Sequence, residues 1–325
     1  MLPFAHFDED LVLDCIAEFS ATSDRPGPYA VTCLDQSGDF PTERMAFRLS
    51  CDDHPELVLK LDSAPATQRL SKDFQILKEL QAGSLQNPRL AVIKPLYLSP
   101  KGHFHITEFA PGKTAKQKIY ADPPQSRAGQ IFRRGGKWLH ELHASKPIEK
   151  GGIWASWMLE EVEKQRTTAA CQACSETLEE YVGIMQTDLS LFSSREDTLV
   201  FSHGDFHGGN LILAQGKTFG LDFTEATRKL AVYDIVDYLK MDVFAPATAG
   251  MVGADGIQKH TRAMFEKGYR HGFDAKLLSY CLRGRLLIEW VKISIQKFEQ
   301  SSFQRKKFSC LQNRLHFAFA QPLHR

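Results

Sequence analysis

The sequence predicts an α+β protein in two lobes, an N-terminal antiparallel sheet with one helix followed by a mainly helical C-terminal lobe. Three observations predict it. Before residue 110 the apolar residues fall in short β-like runs between turn-forming stretches. After about residue 125 they recur at helical spacing. One dense polar run, FSHGDFHGGNLIL at 201–213, interrupts the helical part and is flanked by β-like segments. A chain of 325 residues has room for two cores, and the composition places the domains at 1–109 and 110–325, with a cleft expected at their junction.

Residues 8–19 have helical spacing, and short β-like runs follow at 29–34, 44–50 and 56–62, separated by DQSGDFPTE and CDDHP. A helix is expected at 66–81, with Leu70, Phe74, Leu77 and Leu80 on one face. Two strands, LAVIKPLYL and HFHITEF, lead to the APG at 110–112. Beyond it, QIFRRGGKWLHELHAS and the long segment 155–193 read as helices. A small β cluster spans 198–223, and helices are expected at 231–240, 255–271, 275–299 and 303–318.

The composition narrows the function. A formal net charge of +1 is not that of a globally basic nucleic-acid binder. No apolar run approaches the 18 or so residues of a membrane span, and the acidic start MLPFAHFDED lacks the pattern of a secretion signal; a cytoplasmic enzyme is expected. Seven scattered cysteines do not suggest a disulfide framework. Cys171 and Cys174 form a C-x-x-C without a second pair or matching histidines, so they read as two thiols on a continuous helix.

The polar run has the residue types of a Mg2+–nucleotide site. The strand TLVF should deliver residues 202–210 to the edge of the helical lobe, and a second strand, KTFGLDF, ends in Asp222. Asn210, Asp222 and the carboxylate of Asp205 are hard oxygen donors, which Mg2+ prefers while filling its remaining positions with phosphate and water. Phosphoryl transfer needs a base at the attacking hydroxyl, a metal between the phosphates and a cation on them. Lys60, in LVLKLD, alternates to the face opposite Leu59 and Leu61 and can supply that cation; the next helix offers Asp73 and Glu79 as its partner.

HGDFHGGN followed by GLDF resembles the catalytic and metal loops of the aminoglycoside phosphotransferase and choline kinase family, similar in fold to the protein kinases. The match covers His203, Gly204, Asp205 and Asn210, then Leu221, Asp222 and Phe223. The resemblance, over about residues 25–240, implies a two-lobe protein-kinase-like fold and the cofactors ATP and Mg2+. It implies Asp205 as catalytic base, Asn210 and Asp222 as metal ligands, His203 as a brace of the loop and Asp234 as its support. His207 either touches phosphate or bonds within the loop, and Gly208 and Gly209 are expected to adopt backbone geometry closed to other residues. Lys60 fits the phosphate-anchoring lysine, and its partner falls on Asp73 where the family usually has Glu. ITEFAPG resembles the hinge, with Glu108 and Ala110 offering backbone groups to adenine and Thr107 as gatekeeper. The turn 35–43 takes the place of the nucleotide-covering loop.

Other motifs fail on spacing. PGKT at 111–114 and RGGKW at 134–138 lack the first glycine of a Walker A loop. HELH at 140–143 has its histidines three apart, unlike H-E-x-x-H, and fits a packing helix. No G-x-S-x-G elbow is present. A protein kinase is disfavoured because the VYDIVDYL helix follows Phe223 within about ten residues. The expected activity is transfer of the γ-phosphate of ATP to a hydroxyl of a small molecule, with no nucleic-acid partner and the oligomeric state open. The alternatives are an aminoglycoside antibiotic phosphotransferase and a nucleotide-binding pseudokinase. Residues 281–325 hold nine Lys/Arg against Glu289 and Glu299, a bias that would repel a polycationic acceptor and favour a sugar, a glycan unit or another neutral or anionic metabolite. A choline site would need an aromatic cage, to which Trp290, Phe298, Phe303 and Phe308 could contribute.

Overall fold

A computed structural model gives the fold and describes residues 7–64, 68–85, 87–121 and 124–323. The first residues of the opening segment, the start of the helix expected from 66, and Arg325 lie outside the described residues. The chain divides into two compact units, Met1–Gly112 with Ile212–Glu225, and Lys113–Leu211 with Ala226–Arg325. Asp222 therefore belongs to the first unit, and Asp205 and Asn210 to the second.

The first unit opens with α1 (Glu9–Thr22), whose N-cap Asp8 accepts a hydrogen bond from the Leu11 N–H at 3.1 Å. Then come β1 (Ala30–Gln36), β2 (Arg44–Ser50), β3 (Leu57–Asp62), α2 (Arg69–Glu79), β4 (Leu90–Val92), β5 (Pro95–Leu98) and β6 (Phe104–Glu108). The sheet runs β1-β2-β3-β6-β5, antiparallel throughout. Alternation sends Met45, Phe47, Leu49, Leu57, Leu59 and Leu61 into one core, where they meet Val12, Cys15, Ile16 and Phe19 of α1. Lys60 leaves β3 on the other face and is paired in register with His105 of β6, so both side chains lie on the same side of the sheet, where α2 packs. The single run expected at 90–98 is two strands. Pro95 has no N–H for a ladder and constrains Lys94 before it, so the run breaks there; β5 stays in the sheet while β4 pairs in parallel with residues 218–220.

The second unit begins with β7 (Lys113–Thr114) and α3 (Ala115–Tyr120), joined by a capping box of Thr114 and Gln117 that absorbs the end of the PGKT motif. It continues through α4 (Gln125–Ala144), β8 (Glu149–Gly152), α5 (Trp157–Gln165), α6 (Ser175–Leu189) and β9 (Glu196–Ser202). The short strands β10 (Leu211–Leu213) and β11 (Thr218–Gly220), which from Ile212 on belong to the first unit, precede β12 (Thr227–Leu230) of the second. The helices α7 (Ala231–Leu239), α8 (Lys259–Glu266), α9 (Ala275–Val291), α10 (Ile295–Gln300) and α11 (Ser302–Phe319) complete the chain. β8, β9 and β12 form an antiparallel sheet with β9 at its centre. β12 lies beyond the β cluster expected at 198–223.

Three helix expectations change. The segment 155–193 is broken at residues 166–174, where Ala169 is extended, forms a bridge with Ser294, and the Ala170 N–H donates to the Ile293 carbonyl at 2.7 Å. A tertiary backbone contact thus overrides helix propensity, and Cys171 and Cys174 sit in a 3-10 turn, not in a continuous helix. The run 275–299 stops at Val291 and restarts after Ser294, whose hydroxyl caps the Lys297 N–H. The run 255–271 is helical only over Lys259–Glu266.

Candidate active site

In the first unit, three charged residues far apart in the chain meet on the α2 face of the sheet. Lys60 Nζ lies 3.1 Å from Asp73 Oδ2 and 2.7 Å from Asp222 Oδ1. Asp73 is the lysine's partner on α2. It also contacts His105 Nε2 at 3.1 Å and accepts the Phe223 N–H at 2.8 Å, so its carboxylate ties a strand, a helix and the turn after β11 together. Burial alone would depress the Lys60 ammonium, but Asp73 and Asp222 overcome it and hold the group above its ordinary value. Burial would likewise raise Asp73 and Asp222; Lys60 holds both below the usual carboxylate range, helped at Asp73 by His105.

Asp222 occupies the left-handed region, with φ 60°. Such a conformation costs a non-glycine residue on the order of 1 kcal/mol and persists where the surroundings fix it. Here Thr224 fixes it, its hydroxyl donating to Asp222 Oδ1 at 2.8 Å. Lys60 and Thr224 both meet Oδ1, which leaves Oδ2 as the oxygen able to face a cation. Arg69, at the start of α2, holds the same turn through the Thr224 hydroxyl and Glu225. Arg69 carried no sequence signal because its partner Thr224 lies 155 positions away; Thr224, two residues after Asp222, carried none either. At the hinge-like segment the Glu108 N–H donates to the Lys94 carbonyl at 2.9 Å, leaving its carbonyl as the group it can offer. Ala110 is buried and follows directly after the sheet, and Thr107 is buried within β6.

In the second unit, β9 ends at Ser202 and the chain turns through residues 203–210. Asp234, fully buried on α7, organises the turn: Oδ2 accepts the His203 N–H at 2.7 Å and Oδ1 the Gly204 N–H at 2.9 Å. His143 Nε2 meets the same carboxylate at 3.0 Å, and His143 Nδ1 meets the Tyr269 hydroxyl at 2.8 Å. With Nε2–H donating to Asp234, Nδ1 is an acceptor and His143 is neutral; burial depresses its pKa and Asp234 opposes that only in part. The HELH motif is accounted for by this network. His203 is buried, with its ring against Trp138 and Phe206.

Gly204 supplies the positive φ of the turn, 83°. Gly208 and Gly209 do not have positive φ, contrary to expectation; Gly208 is needed for space, since a Cβ there would lie 2.6 Å from Met241 Sδ and 3.0 Å from the Lys116 backbone nitrogen. His207 Nδ1 accepts the Gly209 N–H at 2.9 Å, so Nε2 carries the proton, 3.5 Å from Asp205 Oδ2. Burial, with Lys240 and Lys116 nearby, depresses the imidazole's pKa against the pull of Asp205. Asn210 Nδ2 donates to the Asp205 carbonyl at 3.0 Å and approaches Asp205 Oδ2 at 3.4 Å. Its amide oxygen is the end left for a cation. Asp205 itself is 44% exposed at the tip of this braced loop.

Five of the nine basic residues of the C-terminal stretch are paired with carboxylates, which reduces the positive bias expected of it. Arg283 is buried against Asp188 and the carbonyls of Ala254 and Ala318, and Arg314 against Asp242. Arg285 pairs with Asp237, Lys307 with Glu289 and Lys292 with Glu161. Trp290 and Phe308 are core residues, whereas Phe303 is exposed.

A sheet of five antiparallel strands with a lysine–carboxylate pair on its helical face, and a helical unit holding an H-G-D-x-x-x-x-N loop, define the kinase-like α+β class. The phosphotransferase enzyme family matches residues 43–270, and the chain belongs to that family. Its class is that of the phosphotransferases. Solved structures with the same fold include an amicoumacin kinase in complex with AMP-PNP and Ca2+ (16% identity, 97% of this chain and 95% of that one, TM-score 0.62). A glucosamine kinase in complex with glucosamine, ADP and inorganic phosphate aligns over 94% and 85% (14% identity, TM-score 0.61). A choline/ethanolamine kinase family protein from Mesorhizobium loti aligns over 96% and 97% (12% identity, TM-score 0.60). No curated protein sequence matches the chain. Among the described residues, no helix is long and apolar enough to cross a membrane.

Proposed function

We propose that the protein is an ATP- and Mg2+-dependent kinase that phosphorylates a hydroxyl group of a small molecule. The observation that carries this reading is the Lys60–Asp73–Asp222 cluster. It spends a half-buried ammonium on two carboxylates of which one, Asp222, keeps an oxygen with no partner among the described residues. In a purely structural ion pair the second carboxylate would be redundant and costly to bury.

Each residue then has a task. Lys60, fixed by Asp73, holds the phosphates of the nucleotide, and the Glu108 carbonyl and the Ala110 N–H receive the adenine edge. The oxygens of Asn210 and Asp222 are the hard donors that suit Mg2+, which when bound would neutralise charge on the phosphates. Asp205 accepts the proton of the acceptor hydroxyl; its exposure and its position on a loop braced by Asp234 suit a base that must reach a substrate. His203 acts as the brace, through its backbone bond to Asp234. His207 serves inside the loop, its Nδ1 engaged by Gly209 and its Nε2–H facing Asp205.

The test is nucleotide consumption with a panel of hydroxylated metabolites, using Asp205→Ala as control. Turnover in the wild type that disappears in the variant, with ATP binding preserved, supports the assignment. Turnover that survives the substitution ends it.

A further inference from the structure

A cavity of about 260 Å3 in the second unit opens beside His207 and Gly208 of the catalytic loop. It is bounded by Lys116, Lys240, Lys307, Asp237 and Glu289, and by an aromatic wall. The wall is Tyr120 against Phe244 at 4.9 Å between ring centroids, and Phe244 against Phe303 at 5.7 Å. Tyr120 and Phe303 are 41% and 48% exposed, so their rings are open to a guest. The same aromatic residues border a second cavity, of about 810 Å3.

Both carboxylates of the cavity are already paired with internal cations, Glu289 through both oxygens and Asp237 through Oδ1. Asp237 Oδ1 accepts Arg285 Nε at 2.9 Å and Lys240 Nζ at 2.9 Å. Glu289 Oε2 meets Lys307 at 2.6 Å and Oε1 meets Lys240 at 3.6 Å. Lys240, Arg285 and Lys307 thus outnumber Asp237 and Glu289, and Lys116 adds a further charge with no ion-pair partner among the described residues, lying over the Tyr120 ring at 5.8 Å. Those three cations also hold Glu289 far down, at about 2, against the burial that would raise it. An ammonium guest would have to share a carboxylate with internal cations and enter a positive field.

Resting on the kinase reading above, we infer that the acceptor is an anionic polyol, a sugar-like ring bearing a carboxylate or a phosphate. Its apolar face lies on Tyr120, Phe244 and Phe303, its charge faces Lys116 and Lys240, and one hydroxyl faces Asp205. Lys116 and Lys240 are specificity residues for this acceptor, and each carboxylate of the cavity is already paired with internal cations.

The experiment is calorimetric titration of the protein with four probes sharing one ring: glucose, glucosamine, glucuronate and glucose 1-phosphate. Binding of at least one anionic probe about tenfold more tightly than glucose, with glucosamine weakest, is the expected result; which anionic probe binds better separates carboxylate from phosphate. Lys116→Glu should erase that advantage or transfer it to glucosamine. Because Lys116 is exposed on α3, unchanged circular dichroism should accompany the variant. Tightest binding of glucosamine, no binding of any probe, or an unchanged order in Lys116→Glu overturns the inference. ATP titration of the wild type and of Lys60→Met, run alongside, reports on the kinase reading separately: ATP bound by the wild type and not by the variant leaves that reading intact whatever the sugars do.

Discussion

At the scale of single residues, Asp205 and Asp73 are the two carboxylates whose loss should be read most differently. Asp205 is exposed and its side chain is only lightly engaged, so Asp205→Ala should leave the melting temperature unchanged while lowering kcat by roughly 10²–10⁴-fold, the usual contribution of a general base. Asp73 is buried and holds Lys60, His105 and the Phe223 N–H at once, so Asp73→Ala should cost about 3 kcal/mol in denaturant unfolding because it removes the acceptor these groups share and leaves Lys60 to Asp222 alone. Asp73→Glu should fail to restore full stability, since the extra methylene has to fit a carboxylate already positioned on three partners. The residues of the polar loop were legible in the sequence because their spacing is short and their chemistry unusual. Lys60 was legible because strand alternation set it apart from Leu59 and Leu61. The choice of Asp73 over Glu79 was not fixed by helix spacing. It is decided by His105 and Phe223, which lie 32 and 150 positions away along the chain and leave no local trace.

At the scale of elements, the polar loop 203–210 is held by His143 of α4 and Asp234 of α7, with Tyr269, beyond α8, bonded to the other side of the His143 ring. His143 has its folded pKa depressed below its ordinary 6.5 by burial, so the unfolded chain takes up a proton that the folded chain refuses. Its contribution to stability is complete above pH 6.5 and declines as pH falls below that value. Urea unfolding from pH 8 to 5 should show this decline, and the slope should flatten in His143→Gln, which keeps a donor for Asp234 but cannot titrate. Gly208→Ala should destabilise by about 1–3 kcal/mol, because the added methyl meets Met241 and the Lys116 backbone. Elements with strong periodicity, α1, β2, β3 and α2, lie close to their expected bounds. The interruptions at 166–174 and 292–294 escaped the reading because they are made by Ala169, Ala170, Ile293 and Ser294 meeting across the fold, a contact that propensity cannot encode. The expectation for Gly208 and Gly209 fails for a related reason: the constraint is steric contact, with Met241 and Lys116 at Gly208 and with the His207 ring at Gly209, not backbone handedness.

At the scale of the whole molecule, the order of a β-rich part and a helical part was legible from the switch of apolar period near residue 110. The allocation of Ile212–Glu225 to the first unit was not, since it follows from where β11 pairs, in parallel with β4. The basic bias of the C-terminal segment also changed meaning once Arg283, Arg285, Lys307 and Arg314 were placed, because composition does not tell a buried pair from a free surface. A ligand that binds only the folded chain stabilises it by mass action, so ATP at a hundred times its Kd should add about 2.7 kcal/mol to wild-type stability and nothing to Lys60→Met. The most direct measurement is transfer of labelled γ-phosphate from Mg-ATP to a hydroxylated acceptor by the wild type and by Asp205→Ala. The account predicts labelled product from the wild type and at least about a hundredfold less from a variant that still binds ATP. Equal product from the two proteins would contradict it.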